Sequence, residues 1–80
     1  MRYAVLSSKR TGERIKQLRK EHHLTVEEVC DYMGFESVQA VYKWQRGDSL
    51  PSVDNLYALS KLFHTSVDDI LRGDREEDDR

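Results

Sequence analysis

The chain has 80 residues, 38% hydrophobic and 35% charged, with a formal net charge of −2. A chain this short holds one domain with a thin core. A single cysteine, Cys30, excludes an internal disulfide and a thiolate cluster, and no stretch approaches the roughly 20 apolar residues of a membrane span.

The N-terminus, MRYAVLSSKR, reaches polar residues at Ser7, too soon for the apolar region of a signal peptide. A reducing, cytoplasmic setting is expected. The charge is uneven: through Gly47, nine bases stand against six acids, a balance of +3. From Asp48 onward four bases stand against nine acids, a balance of −5. The front therefore offers a modest positive face. The back ends in GDREEDDR, a run too charged to pack, so residues 73–80 are expected to form an acidic, disordered tail.

In chain order, residues 1–8 read as an N-terminal arm or a short strand able to pair with a partner chain. Apolar residues then recur at helical spacing over residues 9–72, and Pro51 is the lone proline, which predicts an all-α domain. The first helix runs from about Lys9 to His22, with Ile15 and Leu18 three apart among charged neighbours. A second begins at Thr25, where Glu28 three residues later completes a capping box, and stops at Gly34.

After the turn GFES, Ser37 is the expected N-cap of a third helix that ends at Arg46 and Gly47. In LPSVDNLYALSKLF, Ser52 caps a fourth helix whose expected inward stripe is Val53, Leu56, Leu59, Leu62 and Phe63. Ser66 caps a short fifth helix, with Asp69 at its third position. The result is a compact five-helix bundle.

The third helix carries the chemistry. With Val41 and Trp44 turned inward and each residue advanced by about 100°, Gln39, Tyr42, Lys43 and Arg46 fall together on the opposite side. Glutamine can make paired hydrogen bonds to adenine, lysine can donate to guanine or phosphate, and tyrosine can meet a phosphate or a thymine methyl. A solvated helix face is also polar without reading anything, so the wheel alone leaves both interpretations open.

The wider pattern discriminates between them. ERIKQLRKEHHLTVEEVCDYMGF, YKWQRG, LPSVDNLYALSKLF and SVDDIL, in that order, resemble the Xre family, the helix-turn-helix domain of phage repressors and Cro proteins. The resemblance spans about Thr11 to Arg72. It implies a lambda-repressor-like fold in which the second and third helices form the helix-turn-helix and the third enters the major groove of double-stranded DNA.

Carried over by position, Val38 and Gln39 are expected nearest the base edges, with Tyr42 and Lys43 further along the groove. Thr25, Ser37, Arg46 and Ser49 are expected at phosphates, Thr25 because a helix N-terminus favours anions. Three departures from the family pattern stand out. The interval from Gly34 to Trp44 is one residue longer than usual; Val26 replaces a common phosphate-binding glutamine; and Gln45 replaces a common glutamate, leaving a neutral partner for Arg19.

His22, His23 and His64 match no metal-ligand spacing, so no metal and no cofactor are expected. Cys30 sits where the family usually has alanine and is expected to be a small core residue. No paired carboxylates, glycine-rich phosphate loop or activated nucleophile is present, so no catalytic residue is expected. The reading is a sequence-specific transcriptional regulator, a repressor, acting as a homodimer on half-sites about 34 Å apart. Its rival is an antitoxin-like or adaptor subunit that uses the same fold to bind a separate protein partner.

Overall fold

Four of the helices begin at a serine or threonine whose side chain accepts from a free amide of the first turn, and the third begins without such a cap. A computed structural model describes residues 3–74. Among them, α1 spans Ser8–Glu21, α2 Val26–Met33, α3 Gln39–Arg46, α4 Val53–Leu62 and α5 Val67–Ile70. Ser7, Ser52 and Ser66 each accept a hydrogen bond from the amide three residues on, at 3.0, 3.2 and 3.0 Å. Thr25 and Glu28 form the full capping box of α2. The expected all-α architecture of five helices is the one observed.

The core is one cluster to which every helix contributes. Ile15 and Leu18 come from α1, Val26, Val29 and Cys30 from α2, Val41 and Trp44 from α3, Leu56 and Leu59 from α4, and Ile70 from α5. Phe63 closes it from the end of α4. Two expectations need correction. Val53 is 81% exposed, because the buried arc of α4 is centred on Leu56, Leu59, Ser60 and Phe63. Val53 lies to one side of that arc with exposed Tyr57. Ser37 is not the N-cap of α3: Val38 takes that position with helical backbone angles (φ −85°, ψ −3°) and makes no side-chain cap bond.

α3 rests mainly on α1. Their axes come close at Gly12, where a β-carbon would sit 2.0 Å from the Trp44 carbonyl oxygen and 2.9 Å from that of Gln45. A second close approach is at Gly47, whose φ of +83° turns the chain out of α3 and whose Cα hydrogen faces the Lys9 backbone. Arg19 ties the same elements from the other end, donating from Nε to Gln45 Oε1 at 2.8 Å and from Nη1 to the Leu24 carbonyl at 2.8 Å. The hydrogen bond expected from sequence between Arg19 and its uncharged partner Gln45 is therefore formed.

The ends of the domain meet. Leu6 forms an isolated antiparallel bridge with Gly73, the Ser7 amide donates to the Arg72 carbonyl at 2.9 Å, and the Asp74 amide donates to Val5. Buried Thr11 accepts from the Arg72 amide at 3.0 Å. The arm thus pairs with residues 72–74 of its own chain through an isolated bridge rather than a strand. Arg14 joins α1 to α5 by donating to both the carboxylate and the carbonyl of Asp69. Hydrogen bonds from Thr65 and then Arg14 hold the Asp69 carboxyl below its ordinary value. Residues 75–80, most of the expected acidic tail, lie outside the described residues.

Candidate nucleic-acid interface

The outer face of α3 follows from the burial of its inner one. Val41 is fully buried and Trp44 is 4% exposed, with the Phe35 ring meeting Trp44 edge-on at 5.7 Å between centroids. The wheel then fixes the other side: Gln39, Tyr42, Lys43 and Arg46 are all exposed, while Ala40 and Gln45 on the flanks are partly covered. The structure brings together the four side chains that the sequence placed on one face. Trp44 is core, as its register with Val41 requires.

The turn before α3 accounts for the extra residue. Gly34 ends α2 in the left-handed conformation (φ 76°), and the Phe35 amide donates back to the Cys30 carbonyl at 3.0 Å. Phe35 then packs its ring into the core beside Trp44, so the longer turn is anchored rather than looped out. Glu36 and Ser37 lie exposed at its crest. The Ser37 hydroxyl accepts from the Gln39 amide only at 3.4 Å, near the outer limit for such a bond. Val38 is half-buried and packs against the core, which leaves Gln39 as the first exposed side chain of α3.

The phosphate-binding candidates differ in what already engages them. Thr25 is exposed, yet its amide donates to Glu28 Oε1 at 2.8 Å and its hydroxyl oxygen accepts from the Glu28 amide at 3.0 Å. A phosphate at this helix start is left with the hydroxyl proton and the next amides of α2. Val26, in the place of the usual glutamine, is buried. Ser49 is exposed in the loop after α3. Arg46 is ion-paired with Asp48, Nε to Oδ2 at 2.9 Å.

Three contributors were not identified from the sequence. Lys9, exposed at the start of α1, lies with its backbone against Gly47 and so fixes the start of α1 beside the end of α3. Gly12 positions α3; its signal was a glycine inside a helical pattern, which usually has a packing reason. Asp48 is the third, an acid two residues from Arg46 across a glycine. Cys30 is buried, and burial pushes its thiol up, with Asp31 and Glu27 adding to the effect. That is the behaviour of an inert core thiol. Among the described residues no group of three or more metal-ligating side chains occurs, and no helix is long and apolar enough to cross a membrane.

The family profile described as helix-turn-helix matches residues 15–70, from the core of α1 to the end of α5. The chain is 40% identical over 65 residues to the HTH-type transcriptional regulator DicA of Escherichia coli, covering 81% of this chain and 47% of that protein. It is 32% identical over 63 residues to the HTH-type transcriptional activator BcrR of Enterococcus faecalis, covering 79% and 30% respectively. Repressor protein C2 of Salmonella phage P22 is 36% identical over 63 residues, covering 79% and 29%. The chain thus spans half or less of the length of these relatives. In fold it is similar to the restriction-modification controller protein C.AhdI from Aeromonas hydrophila, with a TM-score of 0.71 at 21% identity over 79% of this chain and 94% of that one.

Proposed function

Because the chain belongs to the helix-turn-helix family, we propose that it is a transcriptional regulator that binds double-stranded DNA in a sequence-specific manner, with α3 in the major groove. The observation that carries this reading is the division of α3 into two faces. Val41 and Trp44 lock one side into the core, so Gln39, Tyr42, Lys43 and Arg46 are held on a rigid support. A rigid helix of this width fits the major groove, and its polar face has the donors and acceptors that base edges and phosphates require.

Roles follow from position. Gln39, exposed at the N-terminal end of α3, reads a base, with adenine as the natural partner for its amide. Tyr42 and Lys43 extend the contact along the groove, and half-buried Val38 offers an apolar edge. Thr25, Ser37, Arg46 and Ser49 orient the domain on the backbone. One domain covers few base pairs, so a homodimer on half-sites about 34 Å apart supplies the rest of the specificity. It acts in the cytoplasm, without a metal or cofactor and without catalysis. Repression follows when the occupied site overlaps a promoter.

The test is selection of binding sites from a randomised duplex library, at low and at moderate salt, because attraction to the backbone alone is strongly salt-dependent. An enriched inverted repeat is the expected result. Gln39→Ala should then cost about 1–3 kcal/mol on the selected site and relax preference at one position. If Gln39→Ala leaves both affinity and preference unchanged, the base-reading role is wrong. No enrichment at either salt would transfer weight to the protein-binding alternative, an adaptor or antitoxin-like subunit.

A further inference from the structure

Arg46 and Asp48 are held together by the way α3 ends. Gly47 reverses the chain in the left-handed conformation, and the Asp48 amide donates to the Lys43 carbonyl at 2.9 Å. That bond fixes the Asp48 backbone over the last turn of α3. Its carboxylate then accepts from Arg46 Nε at 2.9 Å, with both side chains more than half exposed (58% and 56%).

This pair does little for the fold. An exposed ion pair contributes little to stability, and an acid at the C-terminal end of a helix lies in the negative end of its dipole. Arg46 alone would suit that position better. What the carboxylate does is offer the guanidinium an anionic oxygen of the kind that a DNA phosphate would offer.

Resting on the DNA-binding reading above, we propose that Asp48 is an internal competitor of DNA phosphate that holds Arg46 and thereby limits how strongly the interface binds DNA of any sequence. While Arg46 stays with Asp48 its charge is cancelled, and it displaces no counterion from the duplex. Only a phosphate that fits closely enough to replace the carboxylate captures it. Asp48 is in this sense a positioning residue, acting on DNA through Arg46.

The experiment is a salt titration of binding to a random-sequence duplex by the full chain and by Asp48→Asn, Arg46→Ala and the double variant. Asparagine keeps the backbone bond to Lys43, and melting curves check that each variant is folded; Asp48→Ser serves as a second neutral replacement. Asp48→Asn should tighten binding about two- to five-fold at low salt, the range set by a weak exposed pair. Its plot of log affinity against log salt should steepen by about 0.9, one further phosphate neutralised.

In the Arg46→Ala background the same change should do nothing, which separates release of Arg46 from simple removal of a repelling charge. A gain that persists without Arg46 overturns the proposal, as does an unchanged salt slope when Arg46 is present. If the unaltered chain binds no duplex at any salt, the DNA-binding reading itself fails. That outcome differs from a chain that binds but is indifferent to Asp48.

Discussion

α2 and α3 are both eight residues long and lie side by side in the chain, yet they are fixed in opposite ways. α2 carries its own start: Thr25 and Glu28 bond each other's amides, and Gly34 closes the other end. α3 has no side-chain cap and begins from a half-buried Val38. It is held by what lies against it, chiefly α1 through the Gly12 and Gly47 approaches and the Arg19–Gln45 bond. A helix held from behind leaves its leading end and, Arg46 apart, its outer face uncommitted, which is what a reading surface needs. α2, the partner in the helix-turn-helix, instead satisfies its own end.

The largest effect that would break this contrast is expected at Gly12. Alanine there gains helix propensity, by roughly 0.5–1 kcal/mol relative to glycine. Against that stands a β-carbon placed 2.0 Å from a backbone oxygen of α3, which has no flexible side chain to move aside. Overpacking of a tight core costs about 1–3 kcal/mol and sometimes more, and a clash between two helix backbones belongs at the upper end. Gly12→Ala should therefore destabilise by about 2 kcal/mol or more in denaturant unfolding and weaken DNA binding by shifting α3. A variant more stable than the parent would mean that α1 and α3 are not locked at this seam.

The same contrast explains what the sequence could reveal. Caps are local, so Thr25 with Glu28, Ser52 and Ser66 were legible from spacing alone and are the caps observed. The inner face of α3 was legible too, because Val41 and Trp44 are its bulkiest apolar pair at helical spacing. The start of α3 was not: Ser37 has the right chemistry, but Phe35 sinks its ring beside Trp44 and draws the turn past Ser37 before the helix begins. Val53 failed for a related reason, since a stripe drawn along one helix does not say where the neighbouring helices stop. Gly12, Lys9 and Asp48 matter through elements distant in sequence or across a turn, and no single-helix pattern carries that information.

A smaller change sharpens the comparison from the side of α2. Thr25→Ala removes the hydroxyl that accepts from the Glu28 amide at 3.0 Å while leaving the reciprocal bond to the Thr25 amide possible. Loss of such a cap costs about 1 kcal/mol, and the exposed setting allows water to replace part of it. Equilibrium unfolding should show a drop of that order. An effect below about 0.3 kcal/mol would mean that α2, like α3, is held mainly by its neighbours, since caps of this kind typically contribute more.

The smallest effect on stability is expected at Ser37, and it is the most discriminating. Its hydroxyl lies 3.4 Å from the Gln39 amide and is exposed, so Ser37→Ala should change unfolding by less than about 0.5 kcal/mol, as surface substitutions do. If Ser37 meets a phosphate, affinity for DNA should still fall several-fold. The salt slope should stay where it was, because a neutral hydroxyl releases no counterion and the slope counts neutralised phosphates. A change in affinity without a change in either stability or slope would place a polar, uncharged contact at the leading end of α3. A loss of stability comparable to that of Thr25→Ala would instead make Ser37 a working cap, and the two helices would begin alike after all.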